Sequence, residues 1–438
     1  MARIAIIGAG ISGNACGLLL SSDHELTVYE AADYVGGHAN TVRVNAFRRE
    51  FEVDTGFMVF NDRTYPNFCR LMQRLGVQDQ PSDMSLSVRC DRTGLEFQGS
   101  DLNGLFAQRR NLVSPRFYRM LADILRFNRE ATEFVEQNDD SMTLGEFVES
   151  RGYSQFMVDQ YLVPMGAAIW SACPKGFLDF PAHFLLGFFR NHGLLQIVDR
   201  PRWKTIAGRS QSYVEQMTAG FQDRIRLSTP VTSVSRHEDH VVVQSRSQDG
   251  STNTEVYDHV IFATHSDITL RMLTDATDKE REILGHFDYQ ENTATVHTDI
   301  SVLPRRKRAW ASWNYHVPRD HSQNVRVTYD VNRLQALGAP APICVTLNDP
   351  GEIRREHILA EMNYQHPVFS AGAIESQRRH GEISGVARTH FCGAYWGYGF
   401  HEDGVNSALA VAKSFGKDID SCIAASITAQ SDIGEPLP

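Results

Sequence analysis

The sequence predicts an α/β protein of two domains, in which a Rossmann-like dinucleotide-binding domain carries a second domain inserted into it. Residues Arg3 to Glu30, RIAIIGAGISGNACGLLLSSDHELTVYE, form a complete βαβ unit around a GxGxxG turn. Far along the chain, Thr389 to Lys413, THFCGAYWGYGFHEDGVNSALAVAK, follow the same order of strand, glycine-rich turn and helix, which brings the chain back to the first domain. At 438 residues the chain is too long for one ordinary core.

In the first unit, Gly8 permits the tight turn out of the strand, Gly10 lets the backbone approach a pyrophosphate, and Gly13 lets helix and strand pack closely. The helix that opens at Ile11 and Ser12 offers unpaired N–H groups and the positive end of its dipole to phosphates. Glu30, twenty residues beyond Gly10, is placed to accept both ribose hydroxyls of an adenosine, and an acid there argues against a 2′-phosphate.

Composition sets outer bounds. A formal charge of -10 and a pI near 5.9 argue against a nucleic-acid surface. Seven cysteines, at 16, 69, 90, 173, 344, 392 and 422, form no CxxC pair, which fits reduced thiols better than a disulfide framework. No signal peptide is read at the N-terminus and no run of about 18 apolar residues exists. A cytoplasmic protein with no transmembrane segment is expected.

Beyond Glu30 lie Gly36, Gly37 and Thr41. This run resembles the extended fingerprint of flavin enzymes of the amine oxidase, protoporphyrinogen oxidase and phytoene desaturase superfamily. The resemblance implies FAD as cofactor, with the second glycine pair also against its pyrophosphate. His38 stands where those enzymes usually carry an arginine, and histidine is a weaker phosphate partner. The phrases GGHxxTV, VDTGFMVFN with its Thr55 and Gly56, and TYPNF are similar to a bacterial subfamily of amine-oxidase-like proteins. Its members are often encoded beside cyclopropane-fatty-acid-synthase-like methyltransferases, which nominates a lipid methyltransferase as partner.

The chain then reads as a helix over 65–75 closed by Gly76, a strand pair over 83–98 and a long helix over 114–137. A capping box at Thr143 to Glu146 opens a short helix, and further helices follow around 161–169 and 181–190. Five phenylalanines between Phe177 and Phe189 read either as core packing or as the wall of a greasy substrate tunnel or lipid-touching rim. Gly208 lacks the second glycine of a GGxxxL-type turn, because Arg209 follows it. A hairpin is expected over 225–243, where the resemblance places Val231 at the adenine, and a buried strand over 257–264 ends near the cofactor at Ala263. His237 and His240 sit on a polar hairpin tip and read as solvated surface, so no metal is expected. The run Arg305, Arg306, Lys307, Arg308 reads as a charged turn or as a contact for lipid headgroups. Strands are expected over 293–299, 308–315, 325–329 and 343–348, and mixed helix and loop over 350–380.

In the closing motif the helix N-terminus can face an anion. The resemblance assigns Gly393, Asp403, Gly404 and Val405 to the cofactor, and Tyr395 and Tyr398 to the substrate side of the ring. Glu402 and His401 are candidate acid or base residues, with His297 and Tyr315 more remote. The lysine that several amine oxidases keep near the flavin is not identifiable.

The expected architecture is thus a discontinuous, GR2-type Rossmann-like FAD-binding domain with an inserted α+β substrate domain. FAD-binding parts span 1–75, 205–275 and 385–425, substrate-domain parts span 76–204 and 276–384, and 426–438 is a flexible tail. The expected function is FAD-dependent oxidation or double-bond rearrangement of an apolar, fatty-acyl or lipid-like substrate, with peripheral membrane contact. The alternatives are an amine oxidase releasing peroxide, a redox-neutral isomerase, and a noncatalytic FAD-binding partner of a lipid methyltransferase.

Overall fold

The computed structural model describes residues 1–137, 142–170, 174–319 and 326–420. Cys173, Val325, Cys422 and the expected tail lie outside these residues.

Arg3–Ile7 is apolar after its first residue because both of its faces are covered. It lies at the centre of a five-stranded parallel sheet, flanked by Glu25–Tyr29 and His259–Phe262, with Ile225–Arg226 and Thr389–Phe391 at the edges. Successive side chains alternate between two cores, as the two-residue period of a strand requires. Ile4 and Ile6 pack with Leu19 of the helix Ile11–Leu20 and Val411 of the closing helix His401–Ser414. Ala5 and Ile7 pack with Val234, Val243 and Tyr257 of an antiparallel three-stranded sheet. The expected hairpin is corrected here: Ile225–Arg226 joins the parallel sheet, and the hairpin proper runs Val231–Arg236 to Val241–Arg246. Between them Ser228, at φ 49°, and Pro230 break the extended run.

The second unit is a seven-stranded sheet in the order Ile358–Val368, Asp288–His297, Cys344–Leu347, Val327–Asp330, Trp313–Val317, Leu86–Cys90, Leu95–Gln98. The helices Pro115–Gln137, Leu144–Ser150, Val163–Trp170 and Ala182–Asn191 add their apolar faces to the same core. The capping box is present, with Glu146 N donating to Thr143 Oγ1 at 3.2 Å and Thr143 N to Glu146 Oε2 at 2.8 Å. The expectation of helix and loop over 350–380 is also corrected: Ile358–Val368 is an eleven-residue strand paired along Asp288–His297. Pro367 argues against a strand when read alone, but an edge strand tolerates a missing N–H.

The missing glycine at 209 has a visible cost and a visible remedy. Arg209 sits at φ 73°, a left-handed conformation that costs an L-residue roughly 1–2 kcal/mol. Its guanidinium donates to the Glu52 carbonyl and the Gln335 carbonyl, both at 2.9 Å. Arg209→Ala loses both bonds and keeps the strain, whereas Arg209→Gly loses the bonds and the strain together. The glycine variant is therefore expected to be about 1 kcal/mol more stable than the alanine variant in denaturant unfolding. The reverse order would show that the turn is unstrained.

Candidate active site

A cavity of about 560 Å³ runs from the glycine turn of the first domain to the seven-stranded sheet of the second. Its first half is made by backbone. Gly8, at φ 103°, turns the chain so tightly that a Cβ there would stand 2.8 Å from the Ala263 carbonyl oxygen. Glu30 accepts the Ala9 N–H at 2.8 Å and the Ala32 N–H at 2.9 Å, stitching this turn to the end of the second strand. A Cβ on Gly13 would overlap the Gly8 carbonyl oxygen, so Gly13 serves packing.

Gly10 is different. Its backbone, φ -76° and ψ -172°, suits any residue, and a Cβ there would meet nothing within 4 Å. Protein packing therefore gives no reason for glycine at this position. It caps the ten-residue helix Ile11–Leu20 without any side-chain cap, leaving the first N–H groups facing free space. A dinucleotide pyrophosphate fits that space, and its charge would meet the positive end of the helix. Gly37 approaches Gly10 so closely that its Cβ would lie 3.2 Å from the Gly10 Cα. The buried Nε2 of His38, also in the cavity wall, has no hydrogen-bond partner among the described residues. The cradle and this orphaned atom both fit FAD.

The structure brings most of the sequence-predicted cofactor residues together. Gly8, Gly10, Ile11, Ser12, Glu30, Gly36, Gly37, His38, Thr55, Gly56, Val231, Ala263 and Gly393 all line the cavity. Gly404 and Val405 stand behind it: a Cβ on Gly404 would lie 2.6 Å from Ile11 Cγ2, so Gly404 sets the closing helix against the first one. Asp403 accepts the Phe400 N–H at 2.9 Å and holds the entry to the closing helix, with its carboxyl pushed up to about 6 by burial.

The catalytic candidates separate. Tyr395, Tyr398 and His401 line the cavity, whereas Glu402, His297 and Tyr315 do not. Glu402 accepts the Asn67 and Phe68 N–H groups at 3.1 and 2.8 Å and caps the helix Pro66–Arg74. His297 is buried in its strand, bonded to Thr346 Oγ1 at 2.7 Å and accepting the Asp299 N–H. Tyr315 packs in the core two residues along the strand from Trp313, which does line the cavity. His401 stacks on Phe57 at 3.6 Å and bonds Tyr213 Oη at 2.8 Å, and burial lowers its imidazole to about 3.

The far half of the cavity is a chamber that sequence reading reached only in part. Met84, Ile169, Trp170, Phe188, Leu194, Trp203, Trp313, Tyr329 and Leu347 form its apolar wall. Of the five clustered phenylalanines only Phe188 belongs to this wall; Phe177, Phe180 and Phe189 are buried core. Tyr364, Gln365 and His366 enter from the edge strand Ile358–Val368, in the stretch expected to be helix and loop. His366 Nδ1 faces Asn292 Nδ2 at 2.8 Å, and Asn292 Oδ1 in turn accepts from Asn348 Nδ2 at 2.7 Å. This network leaves the His366 hydrogen on Nε2, and burial pushes the imidazole down to about 4. His192, stacked on Phe188 at 3.7 Å, is lowered to about 4 as well. At neutral pH these imidazoles are uncharged and serve as fixed hydrogen-bonding groups rather than as acids.

Among the described residues that line the cavity, Glu30 is the one with a formal charge, and it lies at the nucleotide end; no lysine lines it. No group of three or more His, Cys, Asp or Glu among the described residues is arranged to hold a metal ion. No described helix is long and apolar enough to cross a membrane.

The family described as flavin containing amine oxidoreductase matches residues 11–299. No curated protein matches the chain. Several solved structures share its fold. One is a CLA-producing fatty acid isomerase from P. acnes, with 17% identity and a TM-score of 0.67 over 94% of this chain and 98% of that one. Another is a putrescine oxidase bound to putrescine, with 15% identity and a TM-score of 0.65 over the same shares of the two chains. A third is the cyclohexylamine oxidase of Brevibacterium oxydans IH-35A, with 15% identity and a TM-score of 0.64 over 95% and 99%.

Proposed function

The chain belongs to the flavin containing amine oxidoreductase family and is an FAD-dependent oxidoreductase, and on that premise we propose that its substrate is an uncharged apolar chain of fatty-acyl type. The reaction is dehydrogenation of that chain or movement of a double bond along it. The carrying observation is the chamber wall, in which aromatic and aliphatic side chains are joined by uncharged histidine, tyrosine and glutamine and by no described charged residue. A protonated amine entering this space would give up its hydration without a carboxylate to receive it, at a cost of several kcal/mol. An acyl chain gives up nothing and gains about 0.8 kcal/mol for each buried CH₂. Because a fatty acid isomerase and amine oxidases share the fold, the fold does not choose between these substrates.

FAD, when bound, supplies a hydride acceptor. The protein would hold the nucleotide by the turn from Gly8 to Gly10, Glu30 and the N-terminus of the helix Ile11–Leu20. It holds the substrate by the apolar wall, excludes water, and presents the Nε2–H of His366 as an oriented donor. Loss of a hydride would leave a cation on the acyl chain. The neighbouring C–H proton that departs to form or shift the double bond would pass to an uncharged lining imidazole such as His192. Its Nδ1–H is given to the Phe188 carbonyl, and its Nε2 keeps its lone pair.

The test is anaerobic mixing of the flavin-loaded protein with unsaturated fatty acyl lipids and, separately, with mono- and diamines, following flavin absorbance and analysing the lipid. Bleaching by acyl lipid, or a shifted double bond without bleaching, is expected, with amines inert. Amine-dependent bleaching with peroxide release on readmission of air would overturn the proposal and restore the amine-oxidase reading.

A further inference from the structure

The molecule carries a formal charge of -10, yet two stretches collect basic residues without acids. Between Asp101 and Asp123 there are Arg109, Arg110, Arg116 and Arg119 and no acidic residue; between Asp299 and Asp320 there are Arg305, Arg306, Lys307, Arg308 and Arg319 and again none. The fold puts the two stretches side by side. Both attach to the edge strand Leu95–Gln98 of the seven-stranded sheet. Glu96 accepts the backbone N–H groups of Arg305 and Arg306 at 3.1 and 3.0 Å, while its own N–H donates to Gln108 at 3.2 Å. Arg110 donates to the Gly94 carbonyl at 2.7 Å, and the helix Leu102–Leu105 contacts the turn Lys307–Ala309.

Large apolar side chains stand exposed among these cations. Leu102 is 75% exposed and Val113 is 82% exposed, with Leu112, Tyr118 and Ile300 also open to solvent. An exposed leucine alone needs no explanation, but five large apolar residues among nine exposed basic ones form a patch. The cations are little neutralised: among the described residues the one ion pair they make is Arg305 with Asp91 at 3.9 Å. The nearby acids are committed elsewhere, Asp91 to Arg89 and His316, and Asp101 to the Gly104 N–H at 2.7 Å.

We propose that this face docks on the surface of an anionic lipid bilayer. Its cations meet the headgroups while Leu102, Leu112 and Val113 enter the boundary of the acyl region, the combination by which peripheral proteins hold to membranes. Charge complementarity selects a membrane: the basic patch on an acidic protein is attracted to an anionic surface while the rest of the molecule is repelled, which fixes which face turns toward the lipid. Docking here does not depend on the substrate reading, and it stands or falls by binding alone.

The test is co-sedimentation of the flavin-loaded protein with phosphatidylcholine vesicles and with phosphatidylcholine–phosphatidylglycerol vesicles. Three proteins are compared: wild type, R306Q/K307Q/R308Q, and L112S/V113S. All the altered side chains are exposed, so flavin content and thermal unfolding serve as folding controls. Wild type is expected to sediment with the anionic vesicles and to stay free of the neutral ones. At about fivefold per basic residue, the charge variant should partition ~100-fold more weakly. The apolar variant should bind more weakly at every salt concentration and detach at a lower one. Wild type remaining in the supernatant, equal binding to both vesicle types, or either variant binding as wild type does would overturn the proposal.

Discussion

Gly10→Val is expected to give a folded, colourless protein. The backbone there suits valine and no atom stands within 4 Å of the new Cβ, so stability should change by no more than about 1 kcal/mol, the scale of an N-cap substitution. The space those methyl groups take is the space beside the uncapped helix N-terminus. FAD affinity should therefore fall by ~10³-fold, about 4 kcal/mol. Absorbance of the purified variant, together with its thermal unfolding, reads both quantities. A yellow Gly10→Val protein with wild-type flavin content would remove the pyrophosphate from this turn. Gly13→Val is the contrast: its Cβ would overlap the Gly8 carbonyl oxygen, so fold and flavin should be lost together.

The flavin-free protein should also be acid-labile well above the pH at which carboxylates titrate. Burial lowers His192, His297, His366 and His390 to about 4 and His401 to about 3, from an ordinary value of 6.5. Each stays neutral in the folded state while its unfolded counterpart takes a proton at 6.5. Stability is thus full above 6.5 and is lost as pH falls toward 4. Asp54 and Asp403, both pushed up to about 6 by burial, act the other way, since the folded state takes their protons first. Five imidazoles outweigh two carboxyls, and the net loss is on the order of 5 kcal/mol or more, comparable to the whole stability of a domain. Denaturant midpoints taken from neutral pH down to about pH 5 should fall steeply. A flat profile would mean that these histidines are hydrated and protonate in place.

What the sequence disclosed and what it hid follow from how each group is specified. The nucleotide half was legible because a turn, an approach and an acid twenty residues on are local demands, written within Arg3 to Glu30. The chamber was not, because Met84 comes from a loop and Trp203, Trp313, Leu347 and His366 from four different strands of two sheets, which meet only in the folded chain. His297 and Glu402 have side chains suited to catalysis, yet one is turned into a hydrogen-bonded core and the other caps a helix. Residue type nominates a catalyst, but strand register and helix direction decide whether it reaches the substrate. Ile358–Val368 was hidden by its proline and polar residues, which an edge strand accepts.

The parallel sheet has one further implication, for synthesis. Arg3–Ile7 finds its neighbour His259–Phe262 only after more than half of the chain has been made, and Thr389–Phe391 closes the edge later still. The closing helix, whose Gly404 braces the first helix against the cavity, ends at Ser414. Contacts this distant in sequence form slowly. A nascent chain therefore exposes the glycine turn long before the strands and the closing helix that complete the nucleotide site have been made.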